Sequence, residues 1–276
     1  MLLNVKDYHK PRSIEEAFNI WSEHKNEAVL VAGGTNVALM KSQIPKHLID
    51  LKTLGLNDVK ERGNEIVIGS MISLEDFRKN EIIKKNFGDF FFRSFDDIAS
   101  PQLRNMITVG GSVAAKVGWS DVTTCLLTTE SRLMTFGENS YQNINIIEFN
   151  RLPRDKKPII THIILNKEDF VYGFKRFTKS AFDIALVNVG IALKIESDVV
   201  KRSRFVIGSR PQLPDRFTEV EEGLENLTYD DNLPTIARNL VFEHFTGANN
   251  HLASVEYRRH LASVLTERIL TELGGV

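Results

Sequence analysis

One short grammar occurs twice in this chain. An apolar run meets a glycine pair and then a hydroxyl residue, at VAGGT (31–35) and again at VGGS (109–112). Any fold for the chain must turn, or bare its backbone, at both places. Glycine takes φ > 0 at no steric cost and leaves its N–H uncovered by a Cβ. Successive N–H groups in such a turn form a concave anion nest, which a neighbouring hydroxyl extends. A plain chain reversal asks for the same residues, so either pair read alone supports both meanings. Neither is a better-known phosphate loop: GxGxxG and GxxxxGK[ST] are absent from the chain, which argues against a Rossmann dinucleotide site and a P-loop. Asp121 follows Ser112 at the start of an apolar segment. Its carboxylate could accept a sugar hydroxyl, or Ser120-Asp121 could simply open a helix.

The bulk properties narrow the class. The 276 residues are 42% hydrophobic, 26% charged and 9% aromatic, which is enough apolar content for a full core. Thirty-five basic residues nearly cancel 36 acidic ones, so neither nucleic acid nor an anionic membrane is favoured as a general partner. Cys125 is the single cysteine, which rules out an intrachain disulfide, a multi-cysteine zinc site and a cysteine-held iron–sulfur cluster. The seven histidines (9, 24, 47, 162, 244, 251, 260) show no HExxH or other close ligand spacing, and no metal site is expected from them. The opening MLLNVKDYHK is too poor in apolar residues for a signal peptide, and no run approaches the ~18 apolar residues of a membrane span. The cytoplasm is the default.

Periodicity supplies the elements. SIEE (13–16) fits a capping box, and Ile14, Ala17, Phe18 and Trp21 continue it as an amphipathic helix. Strands are predicted over 28–32, 47–51, 65–69, 132–136 and 158–165, with a helical piece over 36–41 and helices from Ser73 and Asp121. The aromatic run FGDFFFRSF (87–95) reads as a buried helix, although a flavin ring or a partner surface would want the same residues. Beyond about residue 169 the pattern changes to strands in series, at 170–178, 185–195 and 199–208, then helices near 234–245 and at the end of the chain. Leu261, Val264, Leu265, Ile269 and Leu273 form one face of the last helix, with Gly274-Gly275 at the C-cap. Strands followed by helices predict an α+β fold, divided as residues 1–168 and 169–276.

Several stretches resemble a known family. YHKPRSIEEA (8–17) is similar to its opening Y-x-x-P-x-S-x-E-E-A; VAGGTN and PKHLIDL (45–51) follow. IASPQLRNMITVGGSVA (98–114) is similar to its I-A-S-x-Q-I-R-N-x-A-T-I-G-G-N-I-A, with Ser120-Asp121 at the trailing acidic position and EYRR (256–259) opening the last helix. The chain thus resembles the FAD-binding (medium) subunit of the molybdenum hydroxylases, the group of xanthine dehydrogenase and carbon monoxide dehydrogenase. The resemblance implies a flavin domain of the PCMH, or vanillyl-alcohol-oxidase, type followed by a small α+β domain. It implies that the two glycine loops embrace the FAD pyrophosphate. Carried over by position, the cofactor-binding residues are Leu30, Val31, Ala32, Gly33, Gly34, Thr35, Asn36 and Val37, then Ile98, Ile107, Thr108, Val109, Gly110, Gly111 and Ser112. Asp121 would bind a dinucleotide hydroxyl, and Ile160 and Lys175 would lie beside the flavin. The implied role is electron transfer: a large partner with molybdopterin oxidises a substrate, a small partner with two [2Fe–2S] clusters passes electrons to the FAD, and NAD⁺ or another acceptor takes them. A self-sufficient flavin oxidoreductase and a flavin-less scaffold are the alternatives. Asn36 stands where the family often has Asp, Ser112 where it has Asn, and AKVGW (115–119) replaces a loop usually rich in Ser, Pro and Ala.

Overall fold

The computed structural model describes residues 5–39, 45–138, 140–153 and 156–274. Twelve strands among them form three sheets. The first is β1 (Asp7–His9), β2 (Ala28–Val31) and β3 (His47–Asp50), all parallel, in the order β1-β3-β2. The second is β4 (Val59–Arg62), β5 (Glu65–Gly69), β6 (Arg132–Gly137), β7 (Ser140–Asn145) and β8 (Ile159–Asn166), antiparallel, in the order β4-β5-β8-β6-β7. The third is β9 (Val171–Phe177), β10 (Val187–Glu196), β11 (Val199–Gly208) and β12 (Asp215–Arg216), an antiparallel meander. In chain order the helices are α1 (Ile14–His24), α2 (Leu74–Lys79), α3 (Glu81–Phe87), α4 (Phe90–Ser94), α5 (Pro101–Arg104), α6 (Val109–Ala114), α7 (Asp121–Thr128), α8 (Ile146–Arg151), α9 (Thr218–Leu224), α10 (Leu233–His244) and α11 (Val255–Gly274).

The chain forms two compact units, and it crosses between them more than once. The first contains residues 1–82, 100–115 and 131–166; the second contains 83–99, 116–130 and 167–276. In the first unit, α1 packs Ile14, Ala17 and Trp21 with Ile49, Leu51, Phe136 and Ile159. Ser13 caps it as expected, its Oγ accepting from the Glu16 amide at 3.1 Å. The return bond lands one residue early: Glu16 Oε2 accepts from the Arg12 amide, at 2.7 Å. Replacing Ser13 by alanine should therefore cost about 1 kcal/mol, read as a lowered urea midpoint.

Burial explains which strands were legible. The central strands β8, β10 and β11 are buried on both faces and were written as long β-branched runs. The strands absent from the sequence reading are short or polar: DYH for β1, VKER for β4, SYQNIN for the exposed edge strand β7 and DR for β12. The aromatic run is two short helices, α3 and α4, broken at Gly88 with its φ of +54°. Phe87, Phe90, Phe91 and Phe95 are buried while Phe92 stays exposed, in agreement with the core reading.

In the second unit, α11 buries Leu261, Leu265 and Ile269 as expected, and Ala262, Thr266 and Leu270 as well. It therefore touches its neighbours on more than one side. The Arg258 of the EYRR motif is fully buried; its guanidinium donates to the carbonyls of Leu186 and Ser209 and to Asn250 Oδ1. That arginine ties the last helix to the start of β10. The helix runs through Gly274, and the expected cap residue Gly275 lies outside the described residues. The helical piece expected over 36–41 is a single 3₁₀ turn, Val37–Leu39; positions 40 and 41 lie outside the described residues.

Candidate functional site

β2 delivers the first glycine motif. Leu30 and Val31 are the last strand residues, and Ala32 to Asn36 leave the ladder as an irregular, partly buried loop. Gly34 has φ +74°, the left-handed conformation only glycine takes freely. The Ala38 amide closes the loop onto the Gly34 carbonyl at 2.9 Å and starts the 3₁₀ turn at Val37. Among the described residues, no acceptor receives the N–H of Gly33, Gly34, Thr35 or Asn36. Successive amide donors beside a positive-φ glycine form the kind of concavity that binds anions.

The second motif differs from its expected form. Gly110 and Gly111 lie within α6, not in a turn. Thr108 caps that helix, accepting from the Gly111 amide at 3.2 Å. The Val109 amide goes to the Ile72 carbonyl, the Gly110 amide to the Ser70 carbonyl at 2.9 Å, and the Ser112 amide to the Thr108 carbonyl. The Ser112 hydroxyl also donates to Thr108 O, at 3.0 Å. These amides are satisfied by the protein itself, and the pair lies in a helix, so it is neither the nest of free donors nor the plain turn that its sequence allowed. Its glycines serve close approach instead: a Cβ at Gly110 would stand 2.5 Å from that of Ser70.

The fold nevertheless brings the two motifs together within the first unit. A Cβ on Gly33 would fall 1.7 Å from the Met106 carbonyl oxygen, and one on Gly111 would fall 3.6 Å from the Ala32 Cβ. The first loop is thus laid directly on the segment that carries Ile107 and Thr108. That segment is itself anchored: the Leu74 amide donates to the Ile107 carbonyl at 2.8 Å. Behind it, Glu75 receives Arg104 Nε at 2.7 Å and Arg78 at 3.1 Å, all three buried, with Lys79 at 2.6 Å on the surface side. Burial works against the Glu75 charge, but Lys79, Arg104 and Arg78 outweigh it and hold the carboxyl at about 2. Nothing in the residue spacing announced this cluster. Ile160 is buried on β8, paired with Thr135 of β6.

Three of the expected residues belong to the second unit. Ile98 is half-buried just after α4, its amide on the Phe95 carbonyl. Asp121 is the first residue of α7 and is buried, and Ser120 caps that helix, as the plainer of the two readings had it. The Asp121 carboxylate is held inside the unit, with Arg176 at 2.8 Å from Oδ2 and Asn188 Nδ2 donating to Oδ1 at 2.6 Å. Burial pushes this carboxyl up to about 6, against Arg176 and Asn188, which favour its charge. Asn188 in turn accepts from the Thr124 hydroxyl at 2.9 Å. Arg176, Asn188 and Thr124 were missed in the sequence because each sits alone in an unremarkable segment. Lys175, on β9, pairs with Glu272 of α11 at 2.6 Å.

Comparison with known proteins gives the class. The chain belongs to the family described as the FAD binding domain in molybdopterin dehydrogenase, which matches residues 3–167. Residues 172–273 match the CO dehydrogenase flavoprotein C-terminal domain. Among relatives, the glyceraldehyde dehydrogenase medium chain of Sulfolobus acidocaldarius is 24% identical, over 96% of this chain and 97% of that one. The xanthine dehydrogenase FAD-binding subunit of Escherichia coli O157:H7 is 21% identical, over 98% and 97%. In fold, the chain is similar to one in the carbon monoxide dehydrogenase of Hydrogenophaga pseudoflava, with a TM-score of 0.89 at 20% identity, covering 97% of this chain and 96% of that one. The α+β fold and the FAD-binding class expected from the resemblance are therefore established. The protein is an FAD-binding oxidoreductase subunit of the molybdenum hydroxylase family.

Proposed function

We propose that this chain holds FAD and relays electrons within a molybdenum hydroxylase complex. In this reading it takes electrons from [2Fe–2S] clusters on a small partner, while a molybdopterin-bearing large partner oxidises the substrate, and it passes them to NAD⁺ or another acceptor. The observation that carries the reading is the first glycine loop, with four amides that find no acceptor among the described residues and Gly34 in the left-handed region. The chemistry FAD supplies when bound is the conversion of single electrons from clusters into a two-electron reduction. The chain's own residues bind and orient. Gly33 to Asn36 would donate to the diphosphate, and each hydrogen bond to a charged group is worth about 1.5–3 kcal/mol. Ala32, Ile107 and the start of α6 back that loop. Asp121 keeps lone pairs beyond those used by Arg176 and Asn188, and these could accept a sugar hydroxyl. Ile98, Ile160 and Lys175 are assigned beside the flavin by position, and Lys175 would share its ammonium with Glu272.

No helix of the described residues is long and apolar enough to cross a membrane, and we assign the protein to the cytoplasm. The visible spectrum of the purified chain tests the proposal, recorded before and after FAD addition and desalting. The expected result is a retained flavin spectrum at close to one FAD per chain. A chain that stays colourless both alone and when co-purified with its partner subunits would overturn it.

A further inference from the structure

The first unit gathers three histidines that lie far apart in the sequence. His9 ends β1, His24 ends α1 and His47 begins β3. β1 and β3 pair in parallel with Asp7 opposite His47 and His9 opposite Ile49. Alternate strand residues share a face, so Asp7, His9 and His47 project from the same side of the sheet. α1 packs against β3 and brings His24 over that side. Ring nitrogens of all three residues lie within 4.8 Å of one another. His9 Nε2 stands 3.2 Å from His47 Nδ1, and the His24 and His47 rings stack at 3.7 Å between centroids with 7° between their planes. Asp7 Oδ2 lies 3.4 Å from His47 Nδ1. All three histidines are only partly buried, so solvent ions can reach them.

We propose that His9, His24 and His47 form a binding site for a late first-row divalent cation of the zinc type, with Asp7 as carboxylate neighbour. Imidazole nitrogens with one carboxylate oxygen are the donor set such ions prefer. Four-coordinate zinc holds nitrogens at about 2.0–2.1 Å, which separates them from one another by roughly 3.4 Å. The His9–His47 pair already has that spacing, and rotation of the stacked His24 and His47 rings out of parallel brings their in-plane lone pairs onto one ion. Hydrogen bonding within the protein does not account for the third ring: among the described residues the His24 side chain makes no hydrogen bond, yet it is stacked on the other two. The carboxylate of Asp7 offsets part of the charge of the ion. An ion there would clamp β1 and the end of α1 to β3, the central strand of the sheet whose β2 runs into the first glycine loop.

Cobalt(II) is the probe for the site. Added to the full, untagged chain, it should give a tetrahedral absorption band at long visible wavelengths, beyond flavin absorption, saturating at one ion per chain. Zinc should bleach that band and raise Tm, and a chelator should reverse both effects. His24→Ala removes a ring that makes no hydrogen bond, and His9→Ala removes a second ligand; each should weaken cobalt binding at least tenfold and abolish the zinc-dependent rise in Tm. Absence of the band in the wild-type chain overturns the proposal. So does an undiminished band in both variants, which would mark adventitious binding elsewhere. Flavin retention is not the readout, so this result stands or falls separately from the proposed function.

Discussion

Gly33→Ala is expected to lose its FAD and much of its stability together. The methyl would meet the Met106 carbonyl oxygen at 1.7 Å and its carbon at 2.8 Å. Both are backbone atoms, so no side-chain rotation relieves the clash, and the two glycine segments must part. Overpacking of this kind costs about 3 kcal/mol, which for a unit of this size lowers Tm by roughly 6–12 °C. Gly34→Ala makes the informative contrast. Its nearest obstacle is a methyl of Val31 at 3.8 Å, so space is not the problem; the φ of +74° is, at about 1–2 kcal/mol. This second variant should stay folded with a modest fall in Tm yet retain clearly less flavin, because its strain falls on the amides proposed to hold the diphosphate. Flavin content and Tm of both chains check this. Full flavin occupancy in Gly33→Ala would sink the assignment of the first loop.

Glu75→Gln is the second large effect. Glu75 faces the buried Arg78 and Arg104, and removing one partner of a buried ionic cluster costs about 3–5 kcal/mol. The pH dependence has a definite sign. The ordinary value of 4.5 falls to about 2 in the folded chain, so the unfolded chain binds the proton more tightly. The stabilisation is fully present above pH 4.5 and is lost as pH falls toward 2. Urea denaturation at a series of pH values should show this loss in the wild-type chain and a flatter acid limb in the variant. An equal acid slope in both would mean that Glu75 is not the group responsible. The cluster also bears on the site: Arg104 lies at the end of α5, just ahead of Met106 and Ile107, on which the first loop rests. Weakening of flavin retention in Glu75→Gln would report that connection.

The two glycine motifs show where sequence reasoning stops. They look alike as strings, and each is open to two meanings, a nest or a plain chain reversal. Among the described residues only the first keeps its amides without acceptors; the other motif's amides go to Thr108, its own helix cap, and to Ser70 and Ile72, whose proximity no local pattern encodes. Asp121 shows the same limit from the other side. Its place at the start of a helix was legible; the arginine and asparagine on its carboxylate were not, since β9 and β10 supply them from far along the chain.

By itself the sequence determined what local chemistry and repetition can encode. The Ser13 and Ser120 caps, the buried strands β8, β10 and β11, the meander followed by helices, and the glycine-bearing motifs that mark the family were all readable from it. Hydrogen bonding at a helix start and the alternation of side chains along a strand act over a few residues, so they leave a signature in order and spacing. The tertiary structure alone decided the contact of Gly33 with Met106, the Glu75–Arg104 anchor and the meeting of His9, His24 and His47. Those depend on strand register and on the line along which a helix crosses a sheet. Both are set by burial summed over the whole core, and no short stretch of sequence records that sum.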